Sequence, residues 1–546
     1  GSGVFSGNTV QITVTGSPAN TTVLGTTTVK YTNQGTSNSM TDGTNHAATS
    51  SVITVSDAAA PVIVSAATSD DNKDGTVDRL TLTFSESVVI TDGGTDNDIT
   101  LSASTGTASI SAASYGATAS SLVYTISGAT AGNTSLTITP TYAVSGAGNI
   151  TDPSGNEMSD GETVSGIDGA APAILIASTS DNDSDGTIDR LTLTFSETVV
   201  ITDGGTDNDI TLSASTGTAS ITAGTYGATA SSLVYTISGA TADNTSLTIT
   251  PTYAVSGAGN ITDPSGNEMP NNETVTGTDG AKPAILSAVT GDANSDGTVD
   301  RLTLTFSESV VITDGGTDND ITLSASTGTA SITAGTYGTT ASTLVYTING
   351  TTADNTSLTI RPTYAVGGDG DITDASGNEM LNGETVSGSD DIVPVLLSAS
   401  YKDTNGDGTV NRIDAVYSEE ISSSTFESGD WTFPTNPHTL SVGSGVFSGN
   451  TVQITVTGSP ANTTVLGTTT VKYTNQGTSN SMTDGTNHAA TSSVITVSDA
   501  AAPVIVSAAT SDDNKDGTVD RLTLTFSESV VITDGGTDND ITLSAS

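Results

Sequence analysis

Apolar and polar residues alternate over short stretches of this chain, and the stretches recur. In Arg79-Leu-Thr-Leu-Thr-Phe-Ser-Glu86, Leu80, Leu82 and Phe84 fall on one side and Thr81 and Thr83 on the other. A period of two marks a strand with one buried face. Leu122-Val-Tyr-Thr-Ile126 and Leu136-Thr-Ile-Thr-Pro-Thr-Tyr142 repeat the pattern. Pro61-Val-Ile-Val-Ser65 precedes them, Ile99-Thr-Leu101 lies between, and Glu162-Thr-Val-Ser165 follows. Gly, Asp, Asn and Ser separate the stretches as turn formers, and no segment has helical periodicity with caps. About seven short strands in roughly 110 residues predict an all-β, immunoglobulin-like sandwich.

The pattern belongs to a tandem array, the feature to seek first in any chain. Residues 1–104 return unchanged as 443–546, an offset of 442. Inside that super-repeat the loop around Gly75 returns at Gly186, Gly297, Gly408 and Gly517, at spacings of 111, 111, 111 and 109. A proline opens each unit: Pro61, Pro172, Pro283, Pro394 and Pro503. The units are therefore 61–171, 172–282 and 283–393, which are similar, and 394–502, which is divergent. Residues 1–60 read as the C-terminal half of a divergent unit and 503–546 as the N-terminal half of a standard one. The expectation is a window onto a longer array, with the two halves able to pair head to tail between copies of the chain.

Charge narrows the functions. The 546 residues carry 12 Lys+Arg against 60 Asp+Glu, a formal charge of −48. Nucleic acid and anionic membrane surfaces need a basic face that so few cations cannot make. No apolar run reaches the roughly 20 residues of a spanning helix, so no membrane insertion is expected in this segment. The absence of Cys removes disulfides, thiol catalysis and Cys-ligated zinc. His46, His438 and His488 sit in no triad or zinc spacing. Near-identical copies of every residue are also foreign to an active site, so no enzyme and no catalytic residue is expected.

The first turn of each unit does carry chemistry. In Asp70-Asp-Asn-Lys-Asp-Gly-Thr-Val-Asp78, oxygen ligands fall at loop positions 1, 3, 5 and 9 (Asp70, Asn72, Asp74, Asp78). Gly75 permits a sharp turn, and Thr76 can offer its carbonyl. Hard oxygens at this spacing wrap a calcium ion, Ca2+. The later copies are Asp181, Asp183, Asp185, Thr187, Asp189; then Asp292, Asn294, Asp296, Thr298, Asp300; then Asp403, Asn405, Asp407, Thr409, Asn411; then Asp512, Asn514, Asp516, Thr518, Asp520. A strand rather than a helix follows, and Thr81 stands where an EF-hand has its bidentate Glu. An Asp four residues before each unit-start proline (Asp57, Asp168, Asp279, Asp390, Asp499) can complete the shell and place the ion at a junction. The competing account is that Asp, Asn and Gly simply make good turns.

Other segments are weaker. A second acidic loop, Asp92-Gly-Gly-Thr-Asp-Asn-Asp98, recurs from Asp203, Asp314 and Asp534 and suits either a further ion or a solvated turn. Ile150-Thr-Asp-Pro-Ser-Gly-Asn-Glu-Met158 reads as a structural turn with two carboxylates. Trp431 reads as core, with an exposed ligand platform as the alternative. Asn133-Thr-Ser135, Asn149-Ile-Thr151 and Asn244-Thr-Ser246 are sequons that could accept sugar.

Thr83-Phe-Ser-Glu86 early and Asp152-Pro-Ser-Gly-Asn156 late together resemble the bacterial Ig-like domains of S-layer proteins and giant calcium-dependent cell-surface adhesins. The match is weakest in the divergent unit, which has Val416-Tyr-Ser-Glu419 and Met482-Thr-Asp-Gly-Thr486 instead. The resemblance implies an extracellular, secreted stalk, lattice or filament, often stiffened by calcium, with no catalytic residues. The expected function is a calcium-stiffened structural array on a microbial cell surface, whose partners are copies of itself. A passive extender of a giant adhesin, or a repeat that binds sugar or ice through Thr-rich faces such as Thr81 and Thr83, are the alternatives.

Overall fold

The computed structural model describes residues 3–15, 27–35, 39–90, 98–114, 118–144, 149–201, 209–225, 229–255, 260–312, 320–336, 340–352, 355–366, 371–422, 425–458, 468–477, 481–531 and 541–544. Strands dominate. Among the described residues the helical element is one short 3-10 turn, Ser428–Asp430. The expected all-β class is the one observed.

In the 61–171 repeat the alternating segment forms the long strand Arg79–Ile90. It pairs antiparallel with Ile63–Ser69 along one edge and Thr118–Ser127 along the other, while its end takes Ile150–Thr151. Ser109–Ser114 extends this five-stranded sheet, and Ile99–Ala103 pairs with Ile138–Tyr142 in a second sheet of two. Leu80, Leu82, Phe84, Leu122 and Tyr124 from the larger sheet pack with Ile99, Ile138 and Tyr142 from the smaller. Each such buried side chain contributes about 1.5–3 kcal/mol. The expected closing strand, Glu162–Ser165, is reduced to an isolated bridge between Thr141 and Thr163 beside Ile138–Tyr142, where Pro140 has no N–H to give a ladder and its carbonyl accepts the Thr163 hydroxyl instead.

One irregularity matters later. Register with Thr118–Ser127 slips between Thr83 and Val88, so Phe84–Ser87 leave that ladder. The slip recurs between Thr194 and Val199 and between Thr305 and Val310. Such bulges re-aim side chains. They fall at Ser85-Glu86, Ser196-Glu197 and Ser307-Glu308, whereas Ser418-Glu419 of the divergent repeat follows the end of the strand Arg412–Tyr417.

Each repeat closes its own core. The clusters span Ile63–Ala170, Ile174–Ala281, Ile285–Ile392 and Leu396–Val497. The last differs in build. Ile495–Asp499 pairs with both Leu396–Lys402 and Thr470–Tyr473, so the divergent repeat carries a continuous seven-stranded sheet. By chain contacts there are two compact units: Gly1–Asn182 with Ile188–Thr241 and Leu247–Ala281, and Asp183–Thr187 with Ala242–Ser246 and Lys282–Ser546.

Candidate metal centre

The acidic loops fold into tight caps on their own backbone. Asp70 accepts the Lys73 and Gly75 N–H groups at 2.8 Å each, Asp74 accepts Thr76 at 2.9 Å, and Asp78 accepts Asp71 at 3.1 Å. Asn72 accepts Asp74 at 3.0 Å. The copies reuse this wiring. Gly297, Gly408 and Gly517 donate to Asp292, Asp403 and Asp512. Thr187, Thr298, Thr409 and Thr518 donate to Asp185, Asp296, Asp407 and Asp516. Asn182 and Ala293 donate to Asp189 and Asp300, and Thr404 and Asp513 donate to Asn411 and Asp520. The turn-forming account of these residues is thus realised in the backbone. Their remaining lone pairs stay open to a hard cation.

The linker carboxylates keep different company. Asp57 precedes Ile63–Ser69, and the acidic loop follows that strand. Seven extended residues, about 23 Å, run between them. Asp57 instead joins Glu86 and Asp152, with one oxygen from each within 4.8 Å of the others. Asp168, Glu197 and Asp263 form the same cluster in the first compact unit, and Asp390, Glu419 and Asp484 form it in the second. In sequence, Asp279, Glu308 and Asp374 are the equivalent residues of a further copy. In the fifth, Asp499 lies beside Glu528.

The cluster is assembled by short-range rules. One oxygen of each linker Asp caps the linker itself, accepting the N–H of Ala59, Ala170 or Ile392. Asp263 accepts both the backbone and side-chain N–H of Asn267 at 2.7 Å, and the same Asn267 amide reaches the carbonyl of Asp168 at 3.1 Å. Asn156 does this for Asp152 and Asp57. The divergent repeat rebuilds it with one residue fewer between the partners: Asn487 donates to Asp484 and to the carbonyl of Asp390. The companion carboxylate Glu157 plays another part, accepting the Tyr142 hydroxyl at 3.3 Å.

Glu197 is held from the preceding repeat. Thr134, with no exposed surface, donates to Glu197 Oε1 at 2.5 Å. Its Oγ1 lies 2.6 Å from Ser196 Oγ, which accepts the Ala173 N–H at 2.9 Å. Thr356 repeats the contact in the second unit, 3.0 Å from Ser418 Oγ and 2.7 Å from Glu419 Oε1. The acidic loop abuts the same place. A Cβ on Gly75 would overlap Leu175, and one on Gly297 would sit 2.9 Å from Leu397 Cδ1. The loop glycine therefore serves the turn and the docking of the next repeat together.

Burial dominates the electrostatics. Loss of water pushes Glu197 up to about 7, with the charges of Asp168 and Asp263 adding to the rise and Thr134 opposing it. Glu419 rises to about 8 for the same first reason, with Asp390 and Asp484 as its charged neighbours. Asp168 and Asp390 rise to about 6, again through burial first. In the exposed loops, hydrogen bonds from Thr409 and Thr518 pull Asp407 and Asp516 down instead.

Other expected features resolve simply. Trp431 is core, packed edge-on to Tyr417 and against Tyr473 and Phe426. Thr134 and Thr245, the middle residues of two of the three sequons, are buried, whereas the sequon hydroxyl residues Ser135 and Ser246 are exposed. The second acidic loop lies outside the described residues except for its final Asp98 and the equivalent Asp209 and Asp320, which are buried. The sequence reading missed Glu86, Asp152 and their copies as site residues. The available signal was parity: Glu86 continues the inward series of Leu80, Leu82 and Phe84.

No family model matches the chain, and no curated protein does. Among solved structures it aligns with surface layer protein SbsC, domains 1–6, at 13% identity over 85% of this chain and 58% of that one, TM-score 0.15. A longer fragment of the same S-layer protein aligns at 12% identity over 83% and 56%, TM-score 0.16. Invasin, a bacterial integrin-binding protein, aligns at 12% identity over 77% of both chains, TM-score 0.17. The chain thus spans a little over half of the S-layer chains. At these TM-scores the alignments carry no argument, and the fold description rests on the strands and cores above.

Proposed function

We propose that this chain is a structural repeat region of a secreted microbial cell-surface protein, stiffened by calcium and built into a filament, lattice or extended stalk. One observation carries the reading. The buried contact in which a threonine hydroxyl of one repeat holds a glutamate of the next occurs at Thr134–Glu197 and again at Thr356–Glu419. A sandwich with its own core and a repeated junction is a unit for building length. The acidic loops stand beside these junctions, and calcium bound there would turn repelling carboxylates into ligands and a hinge into a strut. The charge of −48 would keep such an array soluble and extended. Its partners on this reading are calcium and further copies of itself, and catalysis has no part.

The test is small-angle scattering and thermal unfolding of the whole chain, in millimolar calcium and again in excess chelator. A stiff particle that loosens, together with a melting temperature that falls on chelation, is the expected result. Identical scattering and melting in both conditions would overturn calcium stiffening.

A further inference from the structure

We propose that the cluster of linker Asp, Ser-Glu glutamate and turn Asp is itself a divalent-cation site of calcium's chemical class, distinct from the acidic loops. It deepens the structural reading, yet it stands or falls without the loops.

The geometry fits. In each of the three clusters, one oxygen per carboxylate lies within 4.8 Å of the other two. Two oxygens that share a calcium ion at about 2.3–2.6 Å are at most about 5 Å apart. The polar accounting points the same way. Glu197 is 7% exposed and Glu419 1% exposed, and the Oε2 atom of each is buried with no hydrogen-bond donor. The outer oxygens are already satisfied by Thr134 or Thr356, by Asn267 or Asn487, and by the linker amides. Donors thus account for the other oxygens, and one buried acceptor in each of these two clusters is left without a donor.

Three carboxylates cannot stay ionised this close and this dry without a compensating charge. Among the described residues the ion pairs are Arg79–Asp71, Arg412–Asp414 and Arg521–Asp513, none of them in a cluster. The divergent repeat adds an independent check. Its turn reads Asp484-Gly-Thr-Asn487 where the standard one reads Asp263-Pro-Ser-Gly-Asn267, yet the three carboxylates meet again. Placed between linker and sandwich, the ion would tie the entry of each repeat to its own Ser-Glu glutamate and closing turn.

The experiment counts calcium bound to the full chain by equilibrium dialysis, for the parent protein, Glu197→Gln, Glu419→Gln and the loop variant Asp74→Asn. Gln keeps the oxygen that accepts Thr134 or Thr356, so both glutamine variants should fold. Each is expected to bind one ion fewer than the parent and to show a smaller calcium-induced rise in melting temperature. In chelator near neutral pH each should melt close to the parent, because Gln is a neutral mimic of the protonated carboxyl. An unchanged ion count with an unchanged calcium-induced rise in both variants would overturn the proposal. So would variants less stable in chelator with the full ion count, since the glutamates would then be structural acceptors only. Asp74→Asn reports on the loops separately: its loss of an ion supports the loop reading and leaves the cluster count untouched.

Discussion

The loop around Asp70 and the cluster around Glu197 use the same functional group in opposite surroundings. In the loop, oxygens closely spaced in sequence accept backbone N–H groups a few residues away; Asp74 faces water, and Asp70 is half-buried. Around Glu197, residues about 30 and 66 positions apart in sequence meet in a dry pocket, held from the neighbouring repeat. Exposed, the carboxylate is a turn former with spare ligand capacity. Buried, it is a liability of several kcal/mol unless a proton or a cation joins it. The difference lies in the bulge and the junction, since the side-chain chemistry is shared.

The comparison can be broken most sharply at the loop glycine. Gly75→Ala places a Cβ at a positive φ of 80° and against Leu175. It should cost about 3 kcal/mol in denaturant unfolding, strain and overpacking together. Gly266→Ala, at φ 93° with open space around it, should cost only about 1 kcal/mol. Equal losses would show that the loop does not dock on the next repeat. Next in size is Thr134→Val, which leaves Glu197 and Ser196 without their hydroxyl partner and should cost about 2 kcal/mol. Ser135→Ala, whose exposed hydroxyl bonds only Asn133 within the described contacts, should be near neutral in the same assay.

A gentler perturbation is pH, applied in chelator. Glu197 and Glu419 sit at about 7 and about 8 when folded, against an ordinary 4.5. The folded protein thus keeps protons that the unfolded chain has released. Stability from this source is complete below 4.5 and drains away as pH rises through 7 and then 8. Urea midpoints should fall across that window, and the slope should flatten in Glu419→Gln. A flat profile in the parent would count against the burial of these glutamates. Smallest of all is Asp71→Ala at the exposed Arg79 pair, with an expected loss of about 0.3 kcal/mol that salt should erase.

Much of the fold was legible because its signals are local. Alternation in Arg79–Phe84 defined the central strand and its inner face, and the glycine-rich acidic loops marked the turns between strands. Closing partners were less so: Glu162–Ser165 has strand composition, but the strand it lies against carries Pro140, which has no N–H to donate to a ladder. The site divided the same way. The loop oxygens at positions 1, 3, 5 and 9 could be read off because their observed partners are N–H groups a few residues away in the same turn. Thr134 looked like part of a sequon, and Asp152 like an ordinary turn residue, because nothing near them in sequence announces their partners.

By itself, then, the sequence determined the repeat, the all-β class, the charge and the oxygen-rich loops, since each depends on composition or on neighbours within one turn or strand. Only the tertiary structure decided where the linker Asp, the Ser-Glu glutamate and the turn Asp meet. That meeting depends on how the strands of a repeat pack against its linker and closing turn, and on the docking of one repeat upon the next. Both are set by packing between residues far apart in the chain.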